Sequence, residues 1–237
     1  MSHISHPDSS GKFVEPPSEQ SRRLFLRRSA AIAVMGTTAA VLLSSTSKAR
    51  GNEARQEDKE RYFDQGTNFD SIRTHENDHV DFLVSALGAD ARPMPTFVNL
   101  KQKNIIDFVT VSQALENTGV GAYLGAVPAI KSKAYLAAAG TIALIEARHA
   151  GYLNVLVEDP ITGNILDLTS DNSFETPLTP DQVAAGAGAF VSSLNGGPPL
   201  TYSATPSADN DIAILNFALA LEYLEAAFYN INVPKFF

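Results

Sequence analysis

From about Asn68 to Leu87, Phe69, Ile72, His79, Val80, Leu83 and Leu87 recur at intervals of three and four. That is the period of an amphipathic helix. Gly88 follows where a helix ends on glycine. Ala89–Lys103 contains Pro93 and Pro95 and reads as an extended connection, long enough for a crossover. A second helical pattern runs from about Asn104 to Leu124, with Ile105, Phe108, Val109, Ser112, Leu115, Glu116 and Gly119 on one stripe. Gly119 and Gly121 either let a neighbouring helix come close or mark an irregular turn. Pro128 breaks the pattern. A third helix is predicted from Ser132 to about Val157. It is nearly apolar until Glu146, so it is expected to be the most buried, and Pro160 stops it.

Residues 158–208 change character, with several prolines and an Asn195-Gly196-Gly197-Pro198-Pro199 linker. Ile161–Ile165 has the makings of a small hairpin. Thr179 is placed to cap a short helix over Pro180–Phe190, with proline at its first position. A fourth long helix begins near Ser207–Asp209 and runs to about Asn230. Its inward side carries Leu215, Ala218, Leu219, Glu222, Tyr229 and either Leu224 or Glu225, and Pro234 follows. These elements predict an all-α protein built on a four-helix bundle with a long crossover. The irregular segment 158–208 lies before the last helix.

The 237 residues suffice for one domain with a real core. There is no cysteine, which excludes disulfides, thiolate metal sites and iron–sulfur clusters. The net charge of −8 argues against a nucleic-acid binder, which needs a basic face. Near the start, Ser21–Arg27 reads Ser-Arg-Arg-Leu-Phe-Leu-Arg, then comes an apolar run, Ala30–Leu43, and then Ser47-Lys48-Ala49. Paired arginines, an apolar run and small residues before a cut after Ala49 make residues 1–49 a twin-arginine export signal. The run is too short and too rich in Gly, Thr and Ala to span a bilayer comfortably, so a cleaved signal is expected rather than an anchor. The expected location is periplasmic or extracellular. Residues 50–67 form a polar lead-in, and 68–237 the bundle.

Candidate chemistry lies in two copies of Glu-x-x-His, Glu76/His79 and Glu146/His149, both on predicted helices. Residues three apart on a helix differ by about 60° in azimuth, so each pair presents a carboxylate and an imidazole to one point in the core. Glu116 and Glu222 each carry a tyrosine seven residues later, Tyr123 and Tyr229. The four glutamates and two histidines match the ligand set of a carboxylate-bridged dinuclear metal site. Clustered carboxylates are costly in a core unless protonated or metallated, and two divalent cations neutralise four of them. Glu225 rivals Glu222, although the spacing to Tyr229 favours Glu222; Glu225 is a second-layer or alternative ligand. Tyr123 and Tyr229 either hydrogen-bond ligands or are core residues with satisfied hydroxyls. His75, one position before Glu76 and off the inward stripe, reads as a surface residue.

Several segments resemble the ferritin-like superfamily, and within it a branch of exported and desiccation-related proteins. They are His75-Glu76-Asn77-Asp78-His79, Ala114–Gly119 with Ala122-Tyr123, Ile145–Ala150, and Leu215–Glu225 through Phe228-Tyr229. Phe174–Pro180 resembles the segment after that branch's last bundle helix. In the family, the helix bearing the Glu-x6-Tyr motif comes first; here its counterpart comes last. The resemblance therefore implies a circularly permuted bundle, with the C-terminal helix docked where a first helix would lie. A homodimer exchanging that helix, or a truncated product, are the alternatives.

The resemblance implies two Fe or two Mn ions and chemistry with dioxygen or peroxide, ferroxidase- or catalase-like. Zinc also fits the ligands. A second class stays open: a non-enzymatic, stress-protective or metal-sequestering bundle in which metal serves stability.

Overall fold

The computed structural model describes residues 62–237; the expected export signal and most of the expected lead-in lie outside them. Four long helices carry the fold. α1 spans Gly66–Leu87 and ends on Gly88, whose φ of 56° suits glycine and whose N–H bonds to the carbonyl of Val84. β1 is the short strand Thr96–Phe97. α2 spans Ile105–Ala126, α3 Lys133–Leu156, α4 Pro180–Ala187, and α5 Ala208–Phe236. β2, Val191–Ser193, pairs antiparallel with β1. Every helix after α1 starts where the chain supplies a polar cap: Asn104 for α2, Ser132 for α3, Thr179 for α4 and Ser207 for α5. Thr179 and Gln182 close a full capping box.

α1 packs chiefly on α5 and α2 on α3, and α2 also touches α5 and α4. The α1–α5 pair is antiparallel. Asn216 reaches the carbonyl of Asp90 just beyond the end of α1, whereas Asn230 pairs with Asn77 nearer its start. α5 is tied to its own chain at both ends. Asp211 accepts the N–H groups of Lys131 and Ser132 at 2.7 and 2.9 Å, and Asn232 accepts that of Gln102 at 2.9 Å. Two large apolar clusters fill most of the bundle, beside a small third one of Ala126, Ala129 and Ile214. Phe69, Phe108, Leu153 and Phe228 belong to one; Leu83, Leu87, Ile142 and Leu219 belong to the other. On α1 and α3 the acids of interest fall between these clusters, and with those of α2 and α5 they form a polar layer inside the apolar core.

The structure departs from the sequence expectations in four places. α3 is not the most buried helix; Leu136 and Leu144 on it are exposed, and α5 holds that position. α5 is long and apolar enough to cross a membrane by length and composition, yet 78% of its most apolar window is buried. Its helix continues through Pro234 to Phe236, because the carbonyl that proline cannot serve belongs to exposed Asn230. Instead of a hairpin over 161–165 there is an isolated bridge, Asn164 with Asp167. Tyr62, within the polar lead-in, is buried in the first apolar cluster.

Candidate metal centre

α1 brings Glu76 and His79 to the polar layer, α2 brings Glu116 and Tyr123, α3 brings Glu146 and His149, and α5 brings Glu222, Glu225 and Tyr229. All nine side chains are buried. Glu76, Glu116 and Glu146 have no exposed surface. α2 runs unbroken through Gly119 and Gly121, so the glycines serve close contact rather than a turn.

The six predicted ligands fall into two overlapping groups whose donor atoms lie within 4.8 Å of one another. One contains Glu76, His79, Glu146 and Glu222; the other contains Glu76, Glu116, Glu146 and His149. Glu76 and Glu146 are common to both. Nδ1 of His79 stands 3.1 Å from Glu76, 3.2 Å from Glu222 and 3.3 Å from Glu146. Nδ1 of His149 stands 3.0 Å from Glu76 and 3.0 Å from Glu116. Each Nδ1 offers at most one proton to these oxygens. Both oxygens of Glu146 and Oε1 of Glu76 are consequently buried without a hydrogen bond. Lone pairs that converge on one point and outnumber the protons there are what a cation neutralises. The residues fit a metal ion.

Electrostatics without a metal point the same way. Burial raises the carboxyl of Glu76 to about 7, with Glu116 adding to it. Burial likewise drives Glu146 and Glu225 well above the carboxylate range, reinforced by their acidic neighbours. Burial alone would lower both imidazoles, but the glutamates outweigh it. Glu222 and Glu76 raise His79 to about 10, and Glu116 and Glu76 raise His149 to about 10. The metal-free core thus keeps protons where cations would sit.

The tyrosines are exchanged between helices. Tyr123 of α2 donates to Glu222 of α5 at 2.5 Å, and Tyr229 of α5 donates to Glu116 of α2 at 2.6 Å. The seven-residue spacing placed each phenol two turns from the glutamate on its own helix; the structure gives it the glutamate opposite. Burial and that neighbouring charge push both phenols well above their ordinary value, so they act as donors. Glu225 is buried beside the layer but stands in neither ligand group.

His75 corrects the sequence reading. It is half-buried, and its Nδ1 lies 2.9 Å from Nε2 of His149. The clue was present: His75 is one turn before His79 and so shares its side of α1. A family model, the ferritin-like domain, matches residues 43–159 and 210–236. The chain belongs to the ferritin-like family. All six candidate ligands of this ferritin-like chain fall within the two matched stretches, and the irregular segment with α4 and β2 falls between them. No curated protein and no solved structure gives a significant match.

Outside the layer, a cleft of about 240 Å³ lies over α2 and α3. Asn117, Ala147 and Ala150 in its wall directly follow Glu116, Glu146 and His149 in the chain; Thr162, Phe174 and Glu175 line it as well.

Proposed function

We propose that this is an exported ferritin-like protein that binds a dinuclear centre of two Fe or two Mn ions for redox chemistry with dioxygen or peroxide. The observation that carries this reading is the sharing of Glu76 and Glu146 by two four-residue groups, each completed by one imidazole and one further carboxylate. Glu76 and Glu146 would serve both ions, with His79 and Glu222 completing the set for one and His149 and Glu116 the set for the other. Such a metal pair supplies electrons to an oxygen species, or takes them back, in concert. A set of four carboxylates and two imidazoles suits Fe or Mn. The protein's own part is to orient and to exclude. Tyr123 and Tyr229 each hold one oxygen of a terminal carboxylate and leave the other free for an ion. The apolar clusters on either side keep bulk water from the layer. Burial pushes the Glu225 carboxyl well above the carboxylate range next to the ligands.

The helix order supports a circular permutation: α5 completes the site from the C-terminal end of the same chain, so no swapped helix is needed to assemble it. Export by the twin-arginine route, with metal loaded before translocation, belongs to the same proposal and rests on residues 1–49. The depth of the layer favours a second reading, in which the metal stabilises a protective or sequestering bundle without turnover. Three of the glutamates have no exposed surface at all.

Elemental analysis of the purified chain, beside a Glu146→Ala/His149→Ala variant, tests the centre. About two Fe or Mn per chain, lost in the variant, is expected. A folded protein that takes up no metal on reconstitution would refute the proposal. Consumption of oxygen on adding Fe(II), or of peroxide, separates the redox reading from the structural one.

A further inference from the structure

We propose that His75 is a positioning residue for His149, and that it makes the two metal subsites unequal by fixing the tautomer of one ligand imidazole and not the other. The inference rests on the dinuclear reading above.

Nδ1 of His75 and Nε2 of His149 are 2.9 Å apart. The two rings are parallel to within 3°, with centroids 5.2 Å apart. That separation is what two imidazoles give when both nitrogens and both ring centres fall on one line. The contact is therefore an in-plane hydrogen bond and not a face-to-face stack. One of the two nitrogens must donate and the other accept.

The surroundings decide which. Nδ1 of His149 faces Oε1 of Glu76 and Oε2 of Glu116, the point where a cation fits. For Nδ1 to bind a metal it must offer a lone pair, and a neutral imidazole then carries its one proton on Nε2. Nδ1 of His75 is placed to accept that proton. If His75 donated instead, the proton of His149 would sit on Nδ1 and block the ligand position. His75 thus acts on the metal through His149, as outer hydrogen-bond partners of ligand imidazoles do.

Among the described residues the other imidazole has no such partner. His75 stands one residue before Glu76 and four before His79. The corresponding position on α3, one before Glu146 and four before His149, is Ile145. Isoleucine has no acceptor. Among the described residues, every recorded polar contact of His79 is made by Nδ1. Once a metal displaces the proton on Nδ1, His75 holds His149 in its binding tautomer by accepting from Nε2, and His79 lacks that hold.

Calorimetric titration of the metal-free full chain with Mn(II) tests this, using wild type, His75→Phe and His75→Asn. The amide oxygen of asparagine reaches the position of Nδ1 and restores an acceptor; phenylalanine keeps the ring and removes it. Wild type is expected to show two unequal binding steps. His75→Phe should weaken one step by about 10–100-fold and leave the other. His75→Asn should stay within a few-fold of wild type. In the Zn(II)-loaded, ¹⁵N-histidine-labelled protein, the Nε2–H of His149 should be protected from exchange in wild type and His75→Asn, and unprotected in His75→Phe. Two intact steps in His75→Phe, equal weakening of both, or an asparagine variant as impaired as phenylalanine would each overturn the role of His75 alone. Absence of any Mn(II) binding by wild type would overturn the dinuclear reading and this inference with it.

Discussion

Gly119 faces Glu146 so closely that a methyl group on the glycine would stand 2.6 Å from Oε2 of the carboxylate. The glycine is a space left for an acid. Alanine in a helix interior ordinarily stabilises by about 1 kcal/mol over glycine. Gly119→Ala should therefore leave the metal-free protein as stable as wild type or more so. It should also push the Glu146 carboxylate from its place between the two ligand groups and weaken metal binding by about tenfold or more. Thermal melting and Mn(II) titration on the same sample check both halves. Unchanged affinity would show that Glu146 has room to spare and is no bridging ligand.

The tyrosine exchange across α2 and α5 leads to a second prediction. Each phenol donates a short hydrogen bond to a buried carboxylate, and such bonds contribute about 1.5–3 kcal/mol. Tyr123→Phe frees one oxygen of Glu222, and Tyr229→Phe frees one of Glu116. The arrangement is reciprocal, so the two variants should lose similar amounts of stability in urea denaturation. Each should also weaken metal binding. A silent variant on one side would show that the two halves are not equivalent in this respect.

The ligand positions could be read from the chain because the helical period fixes azimuth. Glu76 with His79, and Glu146 with His149, must share a face on any helix. What the period leaves open is which neighbouring helix lies across from that face. For that reason the spacing left open whether the tyrosines bond to ligands or only fill the core, and it could not say that each would reach the glutamate of the opposite helix. His75 was missed for a related reason: its partner is 74 residues away on α3, and only the assembled bundle brings the two side chains together. The exposure of α3 was illegible because small apolar residues such as Ala134, Ala137 and Gly140 tolerate water as readily as a core. Pro234 misled because proline stops a helix only where the lost carbonyl partner matters.

The segment after α3 is held against α2 by another close approach. Leu178 donates its N–H to the carbonyl of Gly121 at 2.9 Å, and its own carbonyl lies where a side chain on Gly125 would begin. The obstacle is backbone, which cannot swing aside as a flexible side chain can. Gly125→Ala should destabilise the protein by about 1–3 kcal/mol through overpacking, despite the helical preference for alanine. Residues 174–180 should become susceptible to protease before the bundle unfolds, while Mn(II) binding survives. Loss of metal binding together with the segment would mean that the segment supports the centre.

The pH dependence of the metal-free protein follows from which groups hold protons. Glu76 is raised by burial from an ordinary value near 4.5 to about 7. Glu146 and Glu225 are raised well above their ordinary value by the same cause. His79 and His149 are raised from near 6.5 to about 10, the carboxylates overcoming burial. In every case the folded chain binds the proton more tightly than the unfolded one, so stability falls as pH rises. For Glu76 the loss begins above the ordinary carboxylate value and runs through pH 7. For the two imidazoles the contribution is whole below about 6.5 and is lost as pH rises through about 10. The melting temperature in EDTA should therefore drop steadily from pH 5.5 to pH 9. A bound metal reverses the trend, because it takes the place of these protons and its affinity grows as they leave. The gap between Mn(II)-loaded and EDTA-treated melting temperatures should widen across the same range. A metal-free protein whose melting temperature held level or rose with pH would show that the buried glutamates are already ionised and stabilised by something other than protons.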